Sequence, residues 1–159
     1  CLHLAESWRQ STKNISKTET FTLHGAATET KSVLFFDSPR IEIDGHPDAA
    51  ITGVRYEVMR VLQNLIQNSL EAGASRVMVS IRRQPTKAVL SVADNGSGLP
   101  PQVLDAILKK PIESTKAHGT GLGMTICRHI ALAHNAEMRV ESRQGGGTTF
   151  TLEFPLAQG

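Results

Sequence analysis

Between residues 55 and 72 the chain reads RYEVMRVLQNLIQNSLEA, and Val58, Val61, Leu62, Leu65, Ile66 and Leu70 return at steps of three and four. That period belongs to an α-helix of about five turns with one apolar stripe, and such a stripe must be buried under a second layer. The partner layer is legible downstream. RVMVSIRR (76–83) and KAVLSVAD (87–94) alternate as two strands joined by a turn at Gln84, Pro85 and Thr86, with Gly73 stopping the helix before them. EMRVESR (137–143) and GTTFTLEF (147–154) form a second hairpin around Gly145, Gly146 and Gly147. RIEID (40–44) reads as a further strand.

Three more helical segments are expected: 24–36, with Ala27, Val33 and Leu34 inward and Asp37, Ser38 and Pro39 as its stop; a short one opened by Pro100 and Pro101 and running through Leu108; and 121–134. Hairpins interleaved with helices predict an α/β fold. It is a two-layer α/β sandwich, a mixed, mostly antiparallel sheet of about five strands covered on one face by about three helices.

With 159 residues and 40% hydrophobic content the chain has enough material for one domain with its own core. Seventeen basic against fifteen acidic residues leave a formal charge of +2, which disfavours a nucleic-acid partner. Cys1 and Cys127 provide neither a disulfide framework nor metal-ligand spacing, and Cys127 sits in an apolar helical pattern that reads as a buried thiol. No apolar run approaches the roughly 18 residues of a membrane span, and no charged-then-apolar leader opens the chain. The start at Cys1 leads us to expect a piece of a longer, cytoplasmic protein segment, whose parent can carry a membrane anchor elsewhere.

Three stretches carry chemistry. On the 55–72 helix, Glu57, Arg60, Asn64, Asn68 and Glu71 also step by three and four, and form a polar row opposite the core. A polar row is ordinarily a solvated face. Asparagine is a poor helix former, however, and two of them at i and i+4 point to a task. The amide oxygen of asparagine is a neutral, hard ligand suited to Mg²⁺ held between protein and phosphates. Second, VADNGSGLP (92–100) ends a strand with Asp94 beside Gly96 and Gly98, either a plain turn or a loop that lets a ligand lie against the main chain. Third, AHGTGLGMTICRHI (117–130) places Gly119, Gly121 and Gly123 before a helix, either a hinge or a phosphate cradle of free backbone N–H groups. Together the three make a nucleotide site, with Asp94 facing an adenine amine.

The order NLIQNSLEA, DNGSG, STKAHGTGLGM, GGGTTFTLEFP resembles the ATP-binding catalytic domain of sensor histidine kinases, in the superfamily shared with gyrase, heat-shock chaperone and mismatch-repair ATPases. The resemblance covers about 40–156 and implies a Bergerat-type ATP-binding fold. By resemblance, Asn68 coordinates Mg²⁺ and Asn64 supports it from one turn earlier. Asp94 bonds the adenine amine, and Ala72, Gly96, Gly98 and Thr149 line its pocket. Lys116, His118, Gly119 and Thr120 are similar to a short lid, and Gly121, Leu122 and Gly123 meet the phosphates. Residues 1–20 are similar to the end of the dimerisation and phosphoacceptor helix region with its linker, leaving 21–159 as the catalytic domain.

The implied partners are a phosphoacceptor histidine domain of the same protein and a response regulator receiver domain, with no nucleic acid and no membrane insertion by this segment. Any homodimer is expected to form through upstream helices. None of the histidines reads like the phosphorylated one, and His3, His24, His46, His129 and His134 are expected to be surface or packing residues.

Hydrolases of this superfamily place a glutamate one turn before the magnesium asparagine, where it serves as general base to water. Here that position is Asn64, which cannot accept the proton, so the γ-phosphoryl stays available for a histidine from another domain. Two departures stand out: Lys109 precedes Pro111 where the family's lid has phenylalanine, and Glu71 stands where many such kinases have lysine, leaving Lys116 as the main cation. An ATPase related to the mismatch-repair and gyrase enzymes, and a nucleotide-binding regulatory module with little transfer activity, are the alternatives.

Overall fold

The apolar stripe of the long helix decides the architecture. In the computed structural model, which describes residues 17–102 and 120–157, Val58, Val61, Leu62, Leu65 and Ile66 are all buried, together with Ser69. Each such aliphatic side chain contributes about 1.5–3 kcal/mol when it leaves water. The surface that receives them is a five-stranded sheet.

Among the described residues the chain runs β1 (Glu19–Thr22), α1 (Leu23–Leu34), β2 (Ile41–Gly45), β3 (Ala50–Gly53), α2 (Arg55–Glu71), β4 (Val77–Arg83), β5 (Lys87–Asp94), α3 (Thr120–Ala133), β6 (Glu137–Arg143) and β7 (Gly147–Pro155). The main sheet has the order β2-β4-β5-β7-β6. Its β2–β4 pair is parallel, and the other three pairs are antiparallel. This is the mixed, mostly antiparallel sheet that the two hairpins predicted. Val79 and Ile81 on β4, Leu90 and Val92 on β5, and Phe150, Leu152 and Phe154 on β7 fill the core with the helices. On the central strand β5 the alternate residues Val89 and Ser91 are buried too, although they belong to the opposite sheet face.

The second, two-stranded sheet was not expected. β1 pairs antiparallel with β3, placing Phe21 opposite Ile51. Glu19 and Thr20, read from sequence as the last residues of a linker, are its first two residues. Thr22 then caps α1, its Oγ1 accepting the Gly25 N–H at 3.1 Å.

One expectation about α1 is corrected. Leu23, Ala26, Ala27 and Thr30 are its buried residues, whereas Val33 and Leu34 are 62% and 44% exposed. The stripe is in phase, but its last turn runs past the core, and Phe35 at the C-cap folds inward instead. α2 ends as expected: Gly73 takes a left-handed φ of 78°, and the Gly73 and Ala74 amides return to the carbonyls of Leu70 and Ser69. The short helix expected from Pro100 to Leu108 lies largely outside the described residues.

Candidate functional site

β5 ends at Asp94, and three donors converge on its carboxylate. Oδ1 accepts the Gly96 N–H at 2.8 Å and the Thr148 N–H at 3.3 Å, and Oδ2 accepts the Ser69 hydroxyl at 2.8 Å. The Ser69 hydroxyl also lies 3.1 Å from the Leu65 carbonyl, but it has one proton to give, and the carboxylate is the stronger acceptor. A carboxylate has about four acceptor positions, so this arrangement holds Asp94 in one orientation and leaves capacity for one incoming N–H.

Ser69 and Thr148 were not singled out from sequence. Ser69 carried a signal: a hydroxyl at a position in phase with Leu62, Leu65 and Ile66, buried to 1% exposure. Thr148 reaches Asp94 through its backbone and bonds Ser142 Oγ with its own hydroxyl at 2.9 Å. Thr149, the expected residue, is one step along β7, half-buried on the same strand face as Thr151 and Glu153.

The glycines around Asp94 are required by the protein's own packing. A Cβ on Gly98, whose φ is 76°, would sit 2.2 Å from the Arg143 carbonyl, and one on Gly96 would sit 2.9 Å from the Ala72 carbonyl. The loop is wedged between the end of α2 and the β6–β7 turn, through Ser97 N–H to Ala72 O, Gly145 N–H to Ser97 O and Leu99 N–H to Ser142 Oγ. Asn95 Oδ1 accepts the amides of Ser75 and Arg76 at 2.9 and 3.0 Å. The DNG stretch is therefore a built turn whose rigidity aims Asp94, and Ala72 forms one of its walls.

Asn64 and Asn68 are half-buried, while Arg60, Gln63, Gln67 and Glu71 of the same helix are exposed. The asparagine row is thus not a solvated face. α2 packs on α3, and at that seam the Cys127 thiol is buried beside Asn64. Burial pushes the thiol pKa up to about 12, against opposing pulls from the Asn64 side chain and the Arg60 charge. Glu71 is turned to the exposed side, where Gln67 Nε2 donates to its Oε1 at 3.4 Å.

Thr120, Gly121, Leu122 and Gly123 form the opening turn of α3, whose first backbone N–H groups have no partner within the helix. Lys116, His118 and Gly119 lie outside the described residues. Among the described residues there is no group of three or more His, Cys, Asp or Glu side chains that could cage a metal. One amide oxygen from Asn68 still suits Mg²⁺, which takes few protein ligands when phosphates and water supply the rest. A separate surface groove of about 370 Å³, lined by residues including Ile51, His134, Phe154 and Leu156, involves none of these groups. Among the described residues no helix is long and apolar enough to cross a membrane.

Residues 53–158 match the family described as histidine kinase-, DNA gyrase B-, and HSP90-like ATPase. The chain is 38% identical over 117 residues to sporulation kinase C of Bacillus subtilis, covering 72% of this chain and 26% of that protein. It is 35% identical over 117 residues to sensor histidine kinase ZraS of Escherichia coli, covering 72% of this chain and 23% of that protein. The chain thus spans about a quarter of the length of these curated relatives. Among solved structures, the catalytic domain of histidine kinase ThkA superposes with a TM-score of 0.74 at 27% identity, over 88% of this chain and 96% of that one. The mycobacterial sensor histidine kinase MprB shares the fold, with a TM-score of 0.69 at 21% identity.

Proposed function

The chain belongs to the histidine kinase-, DNA gyrase B- and HSP90-like ATPase family, and from that premise we propose that it is the ATP-binding catalytic domain of a two-component sensor histidine kinase. It transfers the γ-phosphoryl of ATP to a histidine on a separate dimerisation domain, for relay to a response regulator receiver domain. The observation that carries this reading is the carboxylate of Asp94, held by Ser69, Gly96 and Thr148 with one acceptor position open, beside a half-buried row of two asparagines.

In this reading Asp94 accepts the exocyclic amine of adenine. Ala72, Gly96, Gly98 and Thr148 shape the surrounding wall, while Thr149 lies on the other face of β7. Asn68 holds Mg²⁺, which on binding neutralises charge on the phosphate oxygens, and Asn64 supports Asn68 from the preceding turn. The amides of Thr120, Gly121, Leu122 and Gly123 receive the phosphates, with Lys116 as the main cationic contact and Gly119 beside it in the lid sequence. Phosphoryl transfer asks mainly for positioning and charge stabilisation, which these groups supply.

Asn64 also separates transfer from hydrolysis. It stands where a water-activating base would have to be, and Glu71, the carboxylate that could have replaced it, is engaged with Gln67 on the exposed side. The domain works in the cytoplasm, and in this proposal the residues before β1 are the end of the dimerisation and phosphoacceptor helix region with its linker.

Calorimetric titration of the chain and its Asn68→Ala and Asp94→Ala variants with Mg²⁺–ADP is the direct test. Binding by the parent chain and loss in both variants, with their melting transitions preserved, is expected; unchanged affinity in both discards the site. Incubation with ATP and a histidine-bearing helical domain should then give phosphohistidine. Fast phosphate release without it would establish the hydrolase instead.

A further inference from the structure

His134, read from sequence as a surface or packing residue, joins the two helices that flank the proposed nucleotide. It follows the last residue of α3, and its Nε2 accepts the N–H of Val54 at 3.0 Å. Val54 is the N-cap of α2, where no side chain of its own helix supplies a cap. The imidazole therefore satisfies one of the orphan amides of α2 from a neighbouring helix. A backbone amide only donates, so Nε2 carries no proton. Nδ1 must carry it, and Nδ1 donates to the Ile130 carbonyl at 2.8 Å.

Two further groups hold the half-buried ring, which on its remaining side lines the surface groove. It meets Phe154 edge to face, with centroids 6.3 Å apart and planes at 85°. Gly53 leaves room for it, because a Cβ there would lie 2.3 Å from Cδ2 and 2.6 Å from Nε2 of the ring. Three elements, the end of α3, the β3–α2 junction and β7, thus hold one imidazole in one tautomer.

Resting on the nucleotide reading above, we propose that His134 is a positioning residue for nucleotide binding. By tying the start of α2 to the end of α3 it sets the separation between Asn68 and the opening turn of α3. Both helices are stiff and pack side by side, so fixing their shared end fixes their axial register. The asparagines lie well along one rod from that tie, and the phosphate-binding turn lies at the far end of the other. A slip at the tie moves the two halves of the phosphate site relative to each other, and small misplacements of this kind are costly to binding geometry.

The test uses the full 159-residue chain with Mg²⁺–ADP as probe. His134→Phe keeps a ring against Phe154 and removes the acceptor; His134→Gln returns an amide oxygen to the place of Nε2. The Phe variant should bind about three- to tenfold more weakly, the ratio that one neutral hydrogen bond corresponds to, and the Gln variant should recover to within about twofold. Exchange of the Val54 amide should be slow in the parent and Gln chains and faster in the Phe chain. Nitrogen-detected spectra of the parent should show the Nδ1–H tautomer. Gly53→Ala displaces the ring from the other side, and should reproduce the loss should the Phe variant not fold. Equal affinity in parent and Phe chains, failure of Gln to restore it, or an Nε2–H tautomer overturns the inference alone. A parent chain that does not bind Mg²⁺–ADP overturns the nucleotide reading, and the inference with it.

Discussion

Two glycines of the β6–β7 turn share a backbone conformation and differ in what surrounds them. Gly145 has φ 78° and would place a Cβ in open space; Gly147 has φ 88° and would place one 2.1 Å from the Asp94 carbonyl oxygen and 3.2 Å from Asn95 Cα. Alanine at either position pays the left-handed penalty of about 1–2 kcal/mol. At Gly147 the obstacle is backbone at the end of a strand paired on both sides, so the chains must part by more than about 1 Å to reach contact distance. Overpacking of that kind adds about 1–3 kcal/mol, for a total of roughly 2–5 kcal/mol. A chain of this size loses about 2–4 °C of Tm per kcal/mol. Gly145→Ala should thus melt about 2–8 °C lower and Gly147→Ala roughly 4–20 °C lower, with the second always below the first. Scanning calorimetry of the pair reads the difference directly. Because Thr148 follows Gly147 and bonds Asp94, the same substitution should also weaken Mg²⁺–ADP binding, while Gly145→Ala leaves it intact. Equal melting temperatures would refute the steric reasoning, and a Gly147→Ala chain that binds as well as the parent would refute the link to Asp94.

Ser69→Ala removes the hydroxyl on Asp94 Oδ2, a bond to a charged group worth about 1.5–3 kcal/mol, and should weaken Mg²⁺–ADP by about tenfold or more in a calorimetric titration. Unchanged affinity would mean that Ser69 does not orient the carboxylate. Asn64→Glu restores a base one turn before Asn68 and should raise phosphate release from ATP by about tenfold or more, read in a coupled assay; no gain would remove position 64 as the reason for slow hydrolysis. Because burial raises the Cys127 pKa from 9.0 to about 12, the fold favours the protonated thiol. Its contribution is complete below about pH 9 and declines as the pH climbs toward 12, so Cys127→Ser should flatten that alkaline limb in denaturant titrations. In a Cys1→Ser background the remaining thiol should resist alkylation until the chain unfolds, and prompt native-state labelling would contradict its burial.

Elements that carry their own periodicity are legible in the sequence alone. α2 and the strands of both hairpins are long enough for period 3.6 or 2 to repeat several times, and the observed bounds follow the pattern closely. β1 and β3 have four residues each, and their pairing is set by a contact between Phe21 and Ile51 that neither segment announces alone. At the candidate site, the asparagines were legible because that residue type is unusual mid-helix, and Asp94 because it stands at a strand end beside two glycines. Thr148 was missed because its amide, which every residue but proline possesses, makes the contact. The capping role of His134 was missed because its partner is 80 residues away in sequence. The outward turn of Val33 and Leu34 depends on where the sheet ends, which no helical pattern encodes.

The central place of β5 between β4 and β7 has a consequence for how the protein is made. Synthesis runs from the amino end, so β4 is available to β5 as soon as their tight turn has emerged, whereas β7 comes last among the described strands. Until it arrives, one edge of β5 stays unsatisfied, and Asp94 lacks the amide that helps aim it. A nascent chain halted before Gly147 therefore exposes a sticky strand, and the proposed nucleotide site is completed only as the β6–β7 hairpin clears the ribosome.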